Sequence, residues 1–178
     1  SNCPTFNHPT YGCPGQHTIA TYKNRLGWIP ANQIFLSTPG NSPATVTLER
    51  LALPQTNDFR MIVIPIGNSP DEFYTVEARR WAGYDAKLPG EAVILHKVSH
   101  GYAYVLDVDN NGYTGDAGAM WTAGETFSDS ANQISVAIDA ATPTGYTVTV
   151  ANFSSQPVAN DDFDTPAMIH SLPYATSL

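Results

Sequence analysis

The sequence predicts an all-β fold, a jelly-roll-like β-sandwich with one short helix near its N-terminus. Three observations support this prediction. Short runs rich in Val, Ile, Thr and Tyr recur along most of the chain, and clusters of Gly, Pro and Asn separate them. Charged residues make up only 13% of the 178 residues, about half the usual share. Thr, Ser, Asn and Gln supply the polar surface instead, which is common in extracellular β proteins.

The same pattern divides the chain into three segments. Residues 1–30 combine an irregular arm with the short helix, residues 31–153 form the β-sandwich, and residues 154–178 form a tail that packs on its surface. A chain of this length fits one domain with small extensions and can bury a real hydrophobic core.

The N-terminal arm contains both cysteines of the chain, Cys3 and Cys13, among Pro, Gly and Asn residues. We expect a disulfide that closes this short loop in an oxidising compartment, with two free thiols as the alternative. The segment 17–28 (HTIATYKNRLGW) then allows one helix, with Thr18 as its N-cap and Gly27 just after its end.

Each predicted strand shows either period-2 alternation or a short apolar run bounded by turns. The run 59–66 (FRMIVIPI) is almost continuously apolar and predicts a central buried strand. Strand 72–79 alternates, so Tyr74 and Glu77 are expected on opposite faces of the sheet. The predicted strands are 33–37, 44–53, 59–66, 72–79, 91–98, 102–106, 126–129, 133–139 and 145–151.

The charge balance restricts the class of partner. Sixteen acidic residues against eight basic ones give a formal net charge of -8, which repels phosphate backbones and anionic lipids. We therefore expect no nucleic acid partner, and no stretch is long and apolar enough to span a membrane. An acidic surface does favour calcium wherever carboxylates converge.

An acidic, glycine-rich loop at residues 107–118 is the best candidate metal site. It opens with DVDNNG, in which oxygen ligands at alternate positions precede a glycine turn, as in many calcium loops. Position 12, where an EF-hand has Glu, is Gly118, so the loop is not an EF-hand. The alternative is a solvated acidic turn. The predicted calcium ligands are Asp107, Asp109, Asn111, Asp116 and Glu125.

Two features bear on carbohydrate. Aromatic side chains in or beside loops can stack on sugar rings, although some could instead be core or loop anchors; these are Trp81, Tyr84, Tyr102, Tyr113 and Trp121. The sequon Asn152-Phe153-Ser154 offers a glycosylation site in a secreted eukaryotic protein, with a solvent-facing strand end as the alternative.

Charged residues around the predicted strand 72–79 allow two interpretations. A buried pair of Glu77 with an arginine, bracing the Gly83-Tyr84-Asp85 loop, explains them without chemistry. The functional alternative makes Glu77 and Asp85 the acid and base of a glycosidase. His96, four residues before His100, is expected to be structural rather than a metal ligand. The sequence has no Gly-x-Ser-x-Gly elbow or phosphate loop, and we expect no catalytic activity in this chain alone.

Three segments in the same order resemble the region after the zinc site in secreted immune-inhibitor-A-like and gametolysin-like metallopeptidases. The first is YKNRLGW (22–28), which resembles the helix that leaves the catalytic domain of those enzymes. The second runs from FYTVEAR (73–79) through Gly-Tyr-Asp and Leu-Pro-Gly to VILH (93–96). The third is GDAGAMW (115–121) with GETF (124–127).

The resemblance implies a secreted β domain whose partner is a metallopeptidase catalytic domain. Those enzymes bind zinc through a His-Glu-x-x-His helix, and this sequence contains no such motif. We therefore expect either the C-terminal portion of such an enzyme or a relative without the catalytic half. In both cases the function expected is calcium binding with support of the protease or docking of its substrate. The alternative is a stand-alone, lectin-like carbohydrate-binding protein that uses loop aromatics and calcium.

Overall fold

The computed structural model describes residues 17–154, apart from the side chains of residues 41 and 42. These residues form an all-β sandwich of two sheets with one short helix, as the sequence predicts. The helix α1 is Ala20–Arg25. The strands are β1 Ile34–Leu36, β2 Asn41–Glu49, β3 Met61–Pro65, β4 Glu72–Arg79, β5 Ala92–Ser99, β6 Tyr102–Val105, β7 Thr126–Asp129, β8 Ile134–Ala141 and β9 Gly145–Asn152. Single 3-10 turns lie at Ala31–Gln33, Gly83–Asp85 and Ala117–Ala119.

Within residues 17–154, the strand order is that of a sandwich built mainly from consecutive antiparallel strands and lacks the two Greek keys of a jelly roll. The first sheet has the order β1-β3-β4-β5-β6, in which β3 to β6 follow one another as antiparallel neighbours and β1 pairs with β3 in parallel. The second sheet has the order β2-β9-β8-β7 and is antiparallel throughout. Consecutive strands thus remain mostly in one sheet, and only β2 leaves the first part of the chain to join the second sheet.

The main core lies between the two sheets. Strand β4 alternates as predicted, with Tyr74 and Val76 in this core and Thr75 and Glu77 on the opposite face. Because every second side chain of each sheet enters the gap, the core is built almost entirely from strand residues. Its fully buried members include Leu48, Ile62, Ile64, Val76, Val93, Leu95, Val136 and Val148.

A smaller core lies on the outer face of the first sheet, where α1 covers β3 and β4. Ala20 of the helix packs there with Leu51, Met61 and Val63. The prediction that Thr18 caps the helix is wrong: Ile19 is the N-cap residue and has no side-chain oxygen. The cap comes from elsewhere in the chain, because the Glu77 carboxylate accepts the first helical N–H, that of Ala20.

The end of α1 agrees with its glycine signal. Gly27 adopts a φ of 71°, a left-handed conformation that glycine accepts without steric cost. Two other predictions, the Cys3–Cys13 disulfide and the course of the tail beyond residue 154, lie outside the described residues. Among residues 17–154, no helix is long and apolar enough to cross a membrane.

Candidate functional site

The acidic loop begins where β6 ends and leads into the 3-10 turn at Ala117–Ala119. The carboxylate of Asp107 spans the loop, since its Oδ2 accepts a hydrogen bond from the Gly112 N–H at 3.0 Å. Its other oxygen, Oδ1, is buried and has no hydrogen-bond partner among the described residues. A buried carboxylate oxygen without a partner costs free energy unless a ligand supplies the missing interaction.

Asn111 hydrogen-bonds to the two other predicted acidic ligands of this loop, Asp109 and Asp116. Its Nδ2 donates to Asp109 Oδ2 at 2.9 Å and to Asp116 Oδ2 at 3.4 Å. A Cβ on Gly118 would lie 2.1 Å from Asp109 Oδ2 and 3.2 Å from Asp116 Oδ1, so both carboxylates crowd this glycine. The loop therefore packs oxygen-bearing side chains against Gly118, where a larger residue would have to displace the Asp109 carboxylate.

The fifth predicted ligand, Glu125, is engaged elsewhere. Its carboxylate accepts hydrogen bonds from the backbone N–H and the hydroxyl of Thr122, in its own turn. Within residues 17–154, no three His, Cys, Asp or Glu side chains are grouped as a metal site. The carboxylates of the loop instead accept hydrogen bonds from its backbone and from Asn111.

A second charged cluster is buried between α1 and the first sheet. Arg79 is 2% exposed and forms salt bridges with Glu77 (2.6 Å) and Asp85 (3.0 Å), both of which are 0% exposed. Asp85 belongs to the Gly83–Asp85 turn. The predicted Glu77–arginine pair that braces this turn is therefore confirmed, and Asp85 is its second acidic partner.

The charges of this cluster set its pKa values. Burial alone would raise the pKa of Glu77, but Arg79, His96 and the Ala20 N–H hold it below its usual range. Burial raises the pKa of Asp85 despite its bonds to Arg79. Because neither carboxylate reaches solvent, the arrangement does not suit an acid–base pair that must meet a sugar.

Two further titratable groups adjoin the cluster. Lys23 Nζ lies 2.7 Å from His17 Nε2 and also donates to the Leu51 carbonyl at 3.3 Å. Burial, with Lys23 and Arg79 nearby, lowers the pKa of His17 to about 4, and burial with Arg79 lowers the pKa of Lys23 to about 8. The sequence reasoning gave Lys23 no role at this site. Its position on α1, one turn from the buried Ala20, could have indicated that Lys23 faces the sheet.

The proposed carbohydrate-binding aromatics divide into two groups. Trp81, Tyr84 and Tyr113 are 57%, 43% and 66% exposed. Trp121 is 8% exposed, packs edge-on against Phe127 and donates its indole N–H to the Leu106 carbonyl. The prediction that Trp121 stacks on a glycan is therefore wrong, because the ring belongs to the main core.

Two further exposed tyrosines lie on the edge strand β6. Tyr102 and Tyr104 are 66% and 58% exposed and point to the same side of the strand. Tyr102 was among the predicted candidates, whereas Tyr104 was not. The alternation of YAYV was the signal that placed the two rings together.

Asn152, the acceptor of the sequon, is not a surface residue. It is 2% exposed, its Nδ2 donates to the Pro65 carbonyl at 3.4 Å, and its Oδ1 accepts from the Ser154 hydroxyl at 2.7 Å. The glycosylation prediction is corrected for the folded domain, because the amide nitrogen that would carry a glycan is enclosed.

No protein family, curated protein or solved structure matches this chain. The resemblance to secreted metallopeptidases therefore stays a prediction, carried by the three sequence segments alone.

Proposed function

We propose that this chain is a non-catalytic, calcium-binding β-sandwich domain of, or derived from, a secreted metallopeptidase. It supports the protease or docks its substrate. The observation that carries the calcium part is the state of Asp107, which has one oxygen on the Gly112 N–H and the other buried without a partner. Calcium takes six to eight oxygens around a bent backbone. Three carboxylates and one amide, from Asp107, Asp109, Asn111 and Asp116, lie in the same loop.

The non-catalytic part rests on the buried cluster. Arg79 uses Nε and Nη2 on Glu77 and Nη1 on Asp85, and it donates further to the His17 and Thr18 carbonyls. All of its polar hydrogens therefore have acceptors inside the domain. A cluster with this degree of saturation holds α1 and the Gly83–Asp85 turn to the sheet, and it leaves no group free to act on a substrate.

The metallopeptidase part rests on the sequence resemblance. Exposed apolar side chains at and after α1 also support it. The motif YKNRLGW overlaps this helix at residues 22–25, and the inner face of the helix is held by hydrogen bonds from Thr21 to Thr75 of β4 and from Lys23 to the Leu51 carbonyl. Tyr22 on the helix and Leu26 and Trp28 just after it are 36%, 53% and 60% exposed. Large apolar side chains exposed together are typical of surfaces that another domain covers. The gene sequence upstream is the test: a His-Glu-x-x-His helix is expected there, and its absence favours a stand-alone protein.

A calcium titration followed by thermal unfolding tests the metal site. Extracellular calcium modules bind with Kd values of about 10⁻⁴ to 10⁻³ M, so about 10 mM calcium should stabilise the domain by roughly 1.4–2.7 kcal/mol. For a chain of this size that corresponds to a rise of roughly 3–10 °C in Tm. The Asp107→Asn variant should lose the rise, while Asp139→Asn, on the exposed side of β8, should retain it. Equal Tm values in calcium and in chelator would refute calcium binding.

A lectin-like function is the second candidate, and one observation favours it. Tyr113 lies in the acidic loop itself and is 66% exposed, so a bound calcium and an aromatic ring would stand side by side. Sugar recognition combines such rings with oxygen contacts. A glycan array separates the two functions, since saccharide-specific binding that Tyr113→Ala abolishes would favour the lectin. An array without specific binding would favour the metallopeptidase-associated domain.

A further inference from the structure

A pocket opens on the outer face of the first sheet, between α1 and two loops. Its volume is about 170 Å³. Ile94 and His96 of β5 and Val105 of β6 line it, together with His17 and Ile19 just before α1, residues 88–89 from one loop and residues 114–116 and 119–120 from the other. The lining is mostly aliphatic, so the pocket suits a ligand with an apolar body.

Among the polar residues that the structure describes in this lining, His96 is the one whose buried ring nitrogen lacks a hydrogen-bond partner; the others are His17, Arg79, Thr114 and Asp116. It is 3% exposed, and its Nδ1 is buried without a hydrogen-bond partner among residues 17–154. Burial lowers the pKa of His96, so its ring is neutral at pH 7 and has one donor and one acceptor nitrogen. Arg79 also lines the pocket, but all of its donors are taken within the buried cluster.

The charges around the pocket exclude anions. Arg79 is neutralised by its two carboxylate partners, and Asp116 adds a negative charge to the lining. A carboxylate or phosphate would lose its hydration without gaining a counter-ion. A neutral ligand with one hydrogen-bonding group avoids this cost and satisfies His96.

We propose that this pocket binds a phenol, a single aromatic ring with one hydroxyl, and that the hydroxyl hydrogen-bonds to His96 Nδ1. A dry cavity of about 150 Å³ accommodates benzene, so the volume fits one ring. A hydroxyl both donates and accepts, and it therefore suits either tautomer of the imidazole. The phenol could be a free small molecule or the side chain of a peptide tyrosine. Because Asp116 lies both in this lining and in the proposed calcium loop, phenol binding has to be measured with calcium and without it.

An NMR titration with p-cresol tests the proposal on the whole chain, in calcium and in chelator. We expect saturable shifts of the His96 ring and of the Ile94 and Met120 methyl groups. Toluene, which lacks the hydroxyl, should bind about tenfold more weakly, the equivalent of one hydrogen bond. N-acetyltyrosinamide distinguishes the two sources: binding tighter than that of p-cresol indicates a peptide tyrosine, and weaker binding indicates a free phenol.

Two variants locate the binding. Ala119→Phe fills the pocket and should abolish the p-cresol shifts, and Thr114→Trp, at an exposed lining position, should block entry if Ala119→Phe does not fold. Ala137→Phe, on the outer face of the second sheet, is the matched control and should bind normally. Shifts that leave His96 unmoved, or equal binding of toluene and p-cresol, would overturn the proposal, as would the absence of any saturable shift.

Discussion

The buried cluster around Arg79 and the acidic loop that starts at Asp107 are both rich in charge, but they satisfy it differently. In the cluster, carboxylates and guanidinium bond to one another and to backbone carbonyls, out of contact with water. In the loop, exposed carboxylates hold backbone N–H groups and one amide, and Asp107 keeps a buried oxygen unpaired. Saturation within the protein is typical of a scaffold, whereas the single Asp107 oxygen without a partner among residues 17–154 is the observation on which the proposed calcium site rests.

Removing the centre of the saturated cluster should have the largest effect. Arg79→Met keeps the length of the side chain but leaves Glu77 and Asp85 buried without a counter-ion. Breaking a buried ion pair from one side typically costs about 3–5 kcal/mol. We expect the free energy of unfolding, measured by urea denaturation, to fall by about this amount.

The neighbouring Arg80 provides the control for this variant. Its side chain is 21% exposed and lies 3.6 Å from Glu91, so Arg80→Met should cost at most about 1 kcal/mol, as for other solvent-accessible pairs. Similar losses for the two variants would contradict the view that the buried cluster holds α1 and the Gly83–Asp85 turn in place.

The geometry of the loop can be altered without substituting any of its carboxylate residues. Gly118→Ala would place a methyl group against Asp109 Oδ2. The Asp109 side chain is exposed and can swing away, so the Tm in chelator should change little. The rise of roughly 3–10 °C expected from calcium should disappear, because one ligand has left the site.

Gly115→Ala tests the same loop with a milder change. A Cβ there meets the Tyr113 ring at 3.4 Å, an ordinary contact, so the calcium response should survive. A Gly118→Ala variant that still responds fully to calcium would show that Asp109 is not a ligand.

The strands could be predicted because each carries its own signal. Strand β4 alternates cleanly, and its bounds, faces and ionic pair all agree with the prediction. The cap of α1 could not be predicted, since it comes from Glu77, which is 57 residues from Ala20. Local sequence gave Thr18 as the cap because sequence patterns contain no information about a distant strand.

The candidate site was predicted in part for the same reason. Asp109, Asn111 and Asp116 share one loop and are joined by hydrogen bonds, so their spacing was sufficient to bring these three together, whereas Asp107 bonds to the Gly112 N–H. Glu125 lies beyond the 3-10 turn, where its nearest partner is Thr122. Trp121 was predicted to be a loop aromatic that could stack on a glycan. Its backbone instead pairs with that of Val93, and its ring packs in the main core. The pocket around His96 is lined by residues from distant parts of the chain, from His17 to Met120, so no local sequence pattern could predict it.

The smallest expected effect concerns His17, at the border of the buried cluster. Its pKa is lowered to about 4 in the folded protein, while in the unfolded chain it has its ordinary value of about 6.5. Between these pH values the unfolded state binds more protons, so the free energy of unfolding should increase as the pH rises from 4 to 6.5. The physical reason is that burial and the nearby cations Lys23 and Arg79 oppose a charge on the ring.

The His17→Gln variant should flatten this dependence without abolishing it, because burial also lowers the pKa of His96, which acts in the same direction. Urea denaturation at a series of pH values measures the slope. A His17→Gln slope equal to that of the parent would mean that the imidazole is already protonated in the folded protein. A protonated ring has no acceptor nitrogen. Lys23 could then not donate to His17, and the contact between these two side chains at the border of the cluster would have to differ from the hydrogen bond in this structure.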